Sequence, residues 1–315
     1  MKKWSDFWKY IWNFIRGIPR VLNYKLFKKV PPYDRLGKRK NITFEFSDDY
    51  IKQKLENGEP FAMIRFGGSE LSALNNYEKI RLRFKRKYKK SVKYAMKNNA
   101  GFFPADDEQL DFYGQYMTKE LINTDTLAIS GLHMENYFYE KYTPLAAIIQ
   151  NWALDPLLGS WTPLLKGKKV LVISPFAEDI EAQYKKRLLL FPNDEEILPE
   201  FELTTIKAVQ SIGNSKDPRY ETWFEALDAM KIEILTKDFD IALVGAGAYG
   251  SPLCLYIKSL GKQALQTGGA TQLLFGIIGK RWEDRDYVKT KINEHWIRPS
   301  ERPSGYENVE EGCYW

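Results

Sequence analysis

An α/β fold, with a mostly parallel sheet and helices on both faces, is what this sequence predicts, and three observations predict it. Short β-rich apolar runs recur along the chain. The stretches between them carry helical patterns. Glycine-rich turns directly follow several of the runs. Strands alternating with helices can pair in parallel only by crossing over a face of the sheet, which buries both faces.

The predicted strands are Phe61–Phe66, Thr126–Ser130, Lys169–Ser174, Glu202–Ile206, Asp240–Gly245 and Lys262–Gln266. In such sheets ligands bind beyond the carboxyl ends of the strands, so the residues just after each run are the informative ones. They read Arg65-Phe66-Gly67-Gly68-Ser69-Glu70, Ser174-Pro175-Phe176, Gly245-Ala246-Gly247-Ala248-Tyr249-Gly250 and Thr267-Gly268-Gly269-Ala270-Thr271-Gln272.

With 315 residues, 44% hydrophobic and 28% charged, the chain suits one large α/β domain or a domain with an appendage. The domain is placed at 41–315 and the appendage at 1–40. Two cysteines, Cys254 and Cys313, and two histidines, His133 and His295, argue against a disulfide framework or a zinc site. They favour a reducing, cytoplasmic compartment. No signal peptide and no apolar run long enough to span a bilayer are evident.

The formal net charge of +6 is unevenly spread. Residues 1–40 and 79–97 are strongly basic, which suggests a polyanionic neighbour. In the first segment Trp4, Trp8, Ile11 and Ile15 share a helical face that Phe7 and Phe14 widen, against Lys2, Lys3, Lys9 and Arg16. An interfacial helix on the inner face of the cytoplasmic membrane needs this composition, and a helix packed on the body would also fit. Pro19 and Pro31-Pro32 are expected to end the helix and form a tether. Residues 81–97 read as a second basic helix, either a solvated face or one that contacts a membrane or attracts a phosphorylated substrate. No nucleic-acid motif accompanies it, so nucleic acid is not expected as a partner.

Among the turns, Arg65, Gly67, Gly68 and Ser69 could cradle a phosphate through backbone amides, a helix N-terminus and a guanidinium fork. Glu70 could serve as a general base, a metal ligand or an acceptor for sugar hydroxyls. Gly245, Gly247 and Gly250 satisfy the dinucleotide-binding spacing after an apolar strand, but the acidic residue expected about 20 positions on is missing. Tyr249 lies inside that turn, and Pro252 suits the first turn of the next helix. Gly268, Gly269, Thr271 and Gln272 form another glycine turn with polar groups for a base, ribose or sugar. Ser174 and Phe176 follow a further strand, with Ser174 a phosphate-binding candidate. In Asp106-Asp107-Glu108, Asp107 is a candidate catalytic carboxylate, or a cation ligand, or part of an acidic helix start.

The segment IRFGGSEL resembles the R-F-G-D-G-E segment of GT-D-type glycosyltransferases. The strings GGATQLLFGIIGKRW and GCYW are similar to proteins of bacterial capsule and cell-wall polysaccharide clusters. The resemblance implies a Rossmann-like sheet and transfer of a sugar from a nucleoside diphosphate donor, a UDP-sugar foremost, to a glycan or lipid-linked acceptor. The family's Asp-x-Glu motif binds a metal, Mn2+ or Mg2+, and the donor. Its Glu falls on Glu70, but its Asp falls on Gly68, which puts the metal in question. On this reading Glu70 and Asp107 are catalytic, and Arg65 with the glycine turns holds the donor. A nicotinamide- or flavin-dependent oxidoreductase and a non-catalytic membrane scaffold are the alternatives.

Overall fold

The structure, a computed structural model, describes residues 2–27, 36, 39–40, 42–211 and 217–315. Its centre is an open seven-stranded, all-parallel sheet of Rossmann-like form. The chain runs α1 (Lys2–Phe27), α2 (Phe44–Glu56), β1 (Phe61–Arg65), α3 (Gly68–Arg81), α4 (Lys90–Ala100), α5 (Asp107–Glu120) and β2 (Thr126–Ile129). It continues with α6 (Glu135–Tyr142), β3 (Ala147–Gln150), β4 (Lys169–Ser174), α7 (Ala177–Tyr184), α8 (Arg187–Leu190) and β5 (Glu202–Lys207). Last come α9 (Trp223–Leu235), β6 (Ile241–Val244), α10 (Gly250–Ser259), β7 (Gln263–Leu265), α11 (Thr271–Leu274) and α12 (Asp286–Lys289).

Alternation along each strand builds two cores. Phe61 and Met63 of β1, Val170 and Val172 of β4, and Ile241 and Leu243 of β6 point to one face. Ala62, Ile64, Leu171, Ile173, Ala242 and Val244 point to the other. A half-buried strand would show polar residues on every second position. These are apolar on both sides because helices cover both faces.

The six expected strands are present. The seventh, β3, was not expected: its four residues AIIQ follow Pro144 closely and form an edge strand on β2. The expected basic helix over 81–97 is two elements. α3 stops at Arg81, Arg83 takes a left-handed φ of 65°, and α4 begins at Lys90. Consecutive like charges disfavour helix there. The turn is pinned instead by Tyr88, whose N–H donates to Asp107 (2.8 Å) and whose hydroxyl donates to the Leu110 carbonyl (2.9 Å).

Pro19 does not end the first helix, which runs through it to Phe27. Pro31 and Pro32 lie outside the described residues. The helix docks on the body through residues spaced three and four apart. Phe7 stacks on Phe84 at 4.9 Å, Tyr10 is buried and donates to Asn75 (2.5 Å), and Phe14 meets His133 edge-on. Asp6 pairs with Arg81 and Lys141. Trp8, Trp12, Ile15, Leu22 and Leu26 lie on the opposite side and are exposed. The expected single apolar face is therefore divided. Phe7 and Phe14 serve the docking face, while Trp8 and Ile15 face outward.

Candidate functional site

In the strand order β3-β2-β1-β7-β6-β4-β5, the chain leaves β4 towards β5 on one side and leaves β6 towards β7 on the other. The adjacent pair β6/β4 is thus a topological switch point, where outgoing connections diverge and leave a crevice. A cleft opens there. Its walls include Ser174, Phe176, Gly245, Gly247, Tyr249, Gly268, Gly269, Thr271 and Gln272, all expected from the sequence as donor-binding positions.

Among the described residues, two buried polar atoms of this cleft's walls have no hydrogen-bond partner, the Tyr249 hydroxyl and Gln272 Oε1. Leaving such a group unpaired costs about 1–3 kcal/mol, which a ligand's donors and acceptors would recover. Gln272 is held by its Nε2, which donates to the Ile277 carbonyl (3.1 Å) and the Tyr314 carbonyl (3.2 Å), so its oxygen is fixed in place. Tyr249 is fixed by stacking on Trp223 at 4.9 Å with the rings 9° from parallel. The Thr271 hydroxyl donates to the Gly268 carbonyl (2.6 Å) and closes the turn rather than capping a helix. Ser174 Oγ accepts from the Phe176 N–H (3.2 Å). Close packing explains two of the glycines. A β-carbon on Gly245 would meet the Gly268 carbonyl at 2.5 Å, and one on Gly250 would meet Gln266 at 2.6 Å.

Among the described residues the lining of this cleft carries no charged side chain. Val309, Tyr314 and Trp315 complete the wall, with Trp315 edge-on to Phe176 and its indole donating to the Glu301 carbonyl (2.8 Å). In the sequence, GCYW carries a resemblance and no site role. The density of aromatics near the end was the one available signal. Asn99, Gln210 and Ser211 were missed as well.

No protein-family model, curated protein or solved structure matches this chain.

Across Gly269 lies a second cleft of opposite character. Arg65, Arg281 and Arg285 line it with Asp155, Asn151, Trp152, Trp282 and Tyr287. Arg65 ends β1, and its backbone N–H donates to Gln266 Oε1 (2.9 Å), which also accepts from Ser251 (2.9 Å). Gln266 directly follows β7, where a dinucleotide fold places the carboxylate that binds ribose. Here that position is an amide already committed to β1 and α10.

Glu70 sits in the first turn of α3, whose N-cap is Gly67. Its carboxyl folds back over the glycine, so that a β-carbon on Gly67 would lie 2.1 Å from Oε2. Burial raises its pKa, opposed by its own backbone N–H and by the Arg65 charge. Gly68 and Ser69 lie beside it, outside both cleft linings, and a β-carbon on Gly68 would meet open space. A divalent cation does not fit these groups: the carboxyl turns back on its own helix end, Gly68 offers no second ligand, and the charge acting on it is the Arg65 guanidinium. Among the described residues no cluster of three or more His, Cys, Asp or Glu could hold a metal.

Asp107 lines neither cleft. It accepts from Tyr88 N–H and pairs with Lys93 at 3.0 Å. Slight burial opposes its charge, but those two partners keep its pKa below the usual range. It is an ionised brace for the basic turn. Asp106 is the N-cap of α5, accepting from the Gln109 N–H (2.8 Å).

Proposed function

We propose that this chain is a glycosyltransferase that moves a sugar from a nucleoside diphosphate donor, a UDP-sugar foremost, to a hydroxyl of a glycan or lipid-linked acceptor in surface-polysaccharide assembly. The observation that carries this reading is the cleft at the β6/β4 switch point, uncharged among the described residues and with two unpartnered buried polar atoms, which meets at Gly269 the cleft that Arg65 lines; Glu70 lines neither cleft but lies under the influence of the Arg65 charge. An uncharged polar body, a nucleoside or a sugar, suits the cleft.

The Glu70 carboxylate takes the proton from the acceptor hydroxyl. The freed oxygen bonds to the sugar's anomeric carbon, and the bond from that carbon to the diphosphate oxygen breaks. The bonding pair leaves on the nucleoside diphosphate, whose charge Arg65 stabilises. A raised pKa makes Glu70 the stronger base once it is ionised. No step here requires a metal.

Peripheral association with the cytoplasmic face of the membrane belongs to the same proposal. No described helix is long and apolar enough to cross a membrane. The outer stripe of α1 (Trp8, Trp12, Ile15, Leu22 and Leu26) recurs at steps of four, three, seven and four residues and stays exposed, Trp8 and Trp12 at 61% each. Lys9 and Arg16 flank it on one side. The turn carrying Lys85 and Lys89 reaches the docked side through Phe84. Indoles at headgroup depth between cations suit an anionic surface.

Thermal stabilisation by UDP, GDP, CMP, NAD and FAD tests the donor reading, followed by transfer assays with the nucleotide that binds. Stabilisation by one nucleoside diphosphate, weakened by Gln272→Leu or Tyr249→Phe, is expected. Stabilisation by NAD or FAD alone would move the chain to the oxidoreductases. No response to any nucleotide would favour a non-catalytic scaffold.

A further inference from the structure

We infer that Arg65, Arg281 and Arg285 form a binding site for a phosphate or diphosphate group, separate from the charge-free cleft and meeting it at Gly269. Among the described residues, three arginines line one cleft with a single carboxylate, Asp155. That carboxylate is already engaged, accepting from the Leu157 N–H (3.0 Å) and the Tyr287 hydroxyl (2.9 Å). Burial raises its pKa against the influence of those donors and of Arg65.

Arg65 is the centre of the site. Among the described residues its guanidinium makes no hydrogen bond or ion pair, and its Nε is buried without a partner. The Arg65 charge acts on the Glu70 and Asp155 carboxyls without a direct pair among the described residues, which leaves its fork of donors for an anion's oxygens. Its position is fixed: the backbone is tied to Gln266, and the side chain lies in the space that Gly268 leaves free.

Arg281 is held ready by the protein. It donates to the Tyr314 hydroxyl (3.0 Å), pairs with Glu310 and lies over the Tyr314 ring at 4.7 Å. Its remaining donors and the exposed guanidinium of Arg285 complete a fork-rich wall of the kind that recognises phosphate oxygens. Arg285 has no ion-pair partner among the described residues. The diphosphate of a donor and the phosphate of a lipid-linked acceptor share this chemistry.

Calorimetric titration of the full chain with inorganic pyrophosphate tests the site without requiring transfer or a bound nucleoside. Its outcome is therefore separable from that of the donor reading, which the Gln272 and Tyr249 variants address. Binding is expected. Arg65→Met is expected to weaken it about tenfold or more, and Arg285→Gln several-fold, with unaltered melting temperatures. Displacement of pyrophosphate by UDP would assign the site to the donor's diphosphate. Simultaneous binding of both would assign it to the acceptor's phosphate. Absence of pyrophosphate binding would overturn the inference. So would equal binding by both variants with loss only in Lys85→Gln, which would mark general attraction to the basic surface.

Discussion

The Arg65 guanidinium occupies the space that Gly268 leaves empty: a β-carbon on Gly268 would come within 1.8 Å of Arg65 Nη2. The glycine also has a left-handed φ of 61°. Gly268→Ala therefore meets two penalties, a backbone cost of about 1–2 kcal/mol and displacement of the guanidinium. Urea denaturation should show a loss of about that size, and pyrophosphate binding should fall with it. In Arg65→Met the second penalty is smaller, because the chain end can give way. The double variant should then lose less stability than the two single losses summed, with a coupling of about 0.5 kcal/mol or more.

Glu70 places opposite demands on activity and stability. Its pKa is raised in the folded state, so the folded chain binds the proton more tightly than the unfolded chain. Stability is greatest below the ordinary glutamate range and falls as pH rises towards the folded pKa. Glu70→Gln removes that penalty. At neutral pH the variant should melt no lower than the parent, and the difference should shrink as the pH is taken below the ordinary range. Transfer should fall by about 100- to 10,000-fold, the usual worth of a general base. Parental turnover by the variant would remove Glu70 from the reaction.

Gly68 was conspicuous in the sequence because a carboxylate was expected there. A β-carbon at that position meets nothing, and the residue begins α3. Gly68→Asp should be tolerated and should raise stability by about 0.5–1 kcal/mol, through helix propensity and the interaction of the new charge with the helix N-terminus. A drop in the denaturation midpoint would mean that the turn needs a glycine for a reason other than space.

The sheet was legible because its strands are short apolar runs whose two faces are both buried, a pattern that local composition carries. β3 was not legible, since four residues after Pro144 carry too little pattern. The switch-point cleft was legible from its glycines: Gly245, Gly247, Gly268 and Gly269 converge as expected, along with Ser174 and Gln272. The arginine cleft was not, apart from Arg65. Arg281 and Arg285 reach it only because the last forty residues fold back, with the Arg281 N–H donating to the Cys313 carbonyl (2.9 Å) and that of Lys280 to the Trp315 carbonyl (3.2 Å). Pairings at that distance in sequence leave no periodicity to read. Asp107 illustrates the converse: three acidic residues in a row look chemical, yet their neighbours make them a helix start and a brace.

Glu78 joins α3 to α6 and holds Arg81 and Lys141, the two cations that pair with Asp6 of the N-terminal helix. It is fully buried and accepts from Arg81 (3.0 and 2.9 Å), Tyr137 (2.6 Å), Lys141 (3.0 Å) and Tyr142. Burial alone would raise its pKa, but Arg81, Lys141 and the two tyrosines hold it below the usual range. Its stabilising effect is present above the unfolded pKa and is lost as pH falls through the folded one. Glu78→Gln should cost about 3–5 kcal/mol, since Arg81 and Lys141 lose a buried counter-charge. Melting temperature against pH should also flatten on the acid side in the variant.

The two faces of α1 should separate in mutation. Phe7 and Tyr10 belong to the docked face, so Tyr10→Ala should lower the melting temperature, leaving Asn75 without its donor and opening a cavity beside Phe84 and Tyr137. Trp8 and Trp12 touch little of the body, and removing them should leave the melting temperature unchanged. If the outer stripe rests on a bilayer, each indole contributes on the order of 1 kcal/mol through partial burial. Trp8→Ser with Trp12→Ser should then reduce co-sedimentation with phosphatidylserine-containing vesicles by about tenfold or more. Salt should weaken the parent's binding too, because Lys9 and Arg16 act on the headgroups through screened charge. If the double variant bound vesicles like the parent but lost stability, the stripe would be part of the protein's own packing, and the cations alone would be left to explain attraction to an anionic surface.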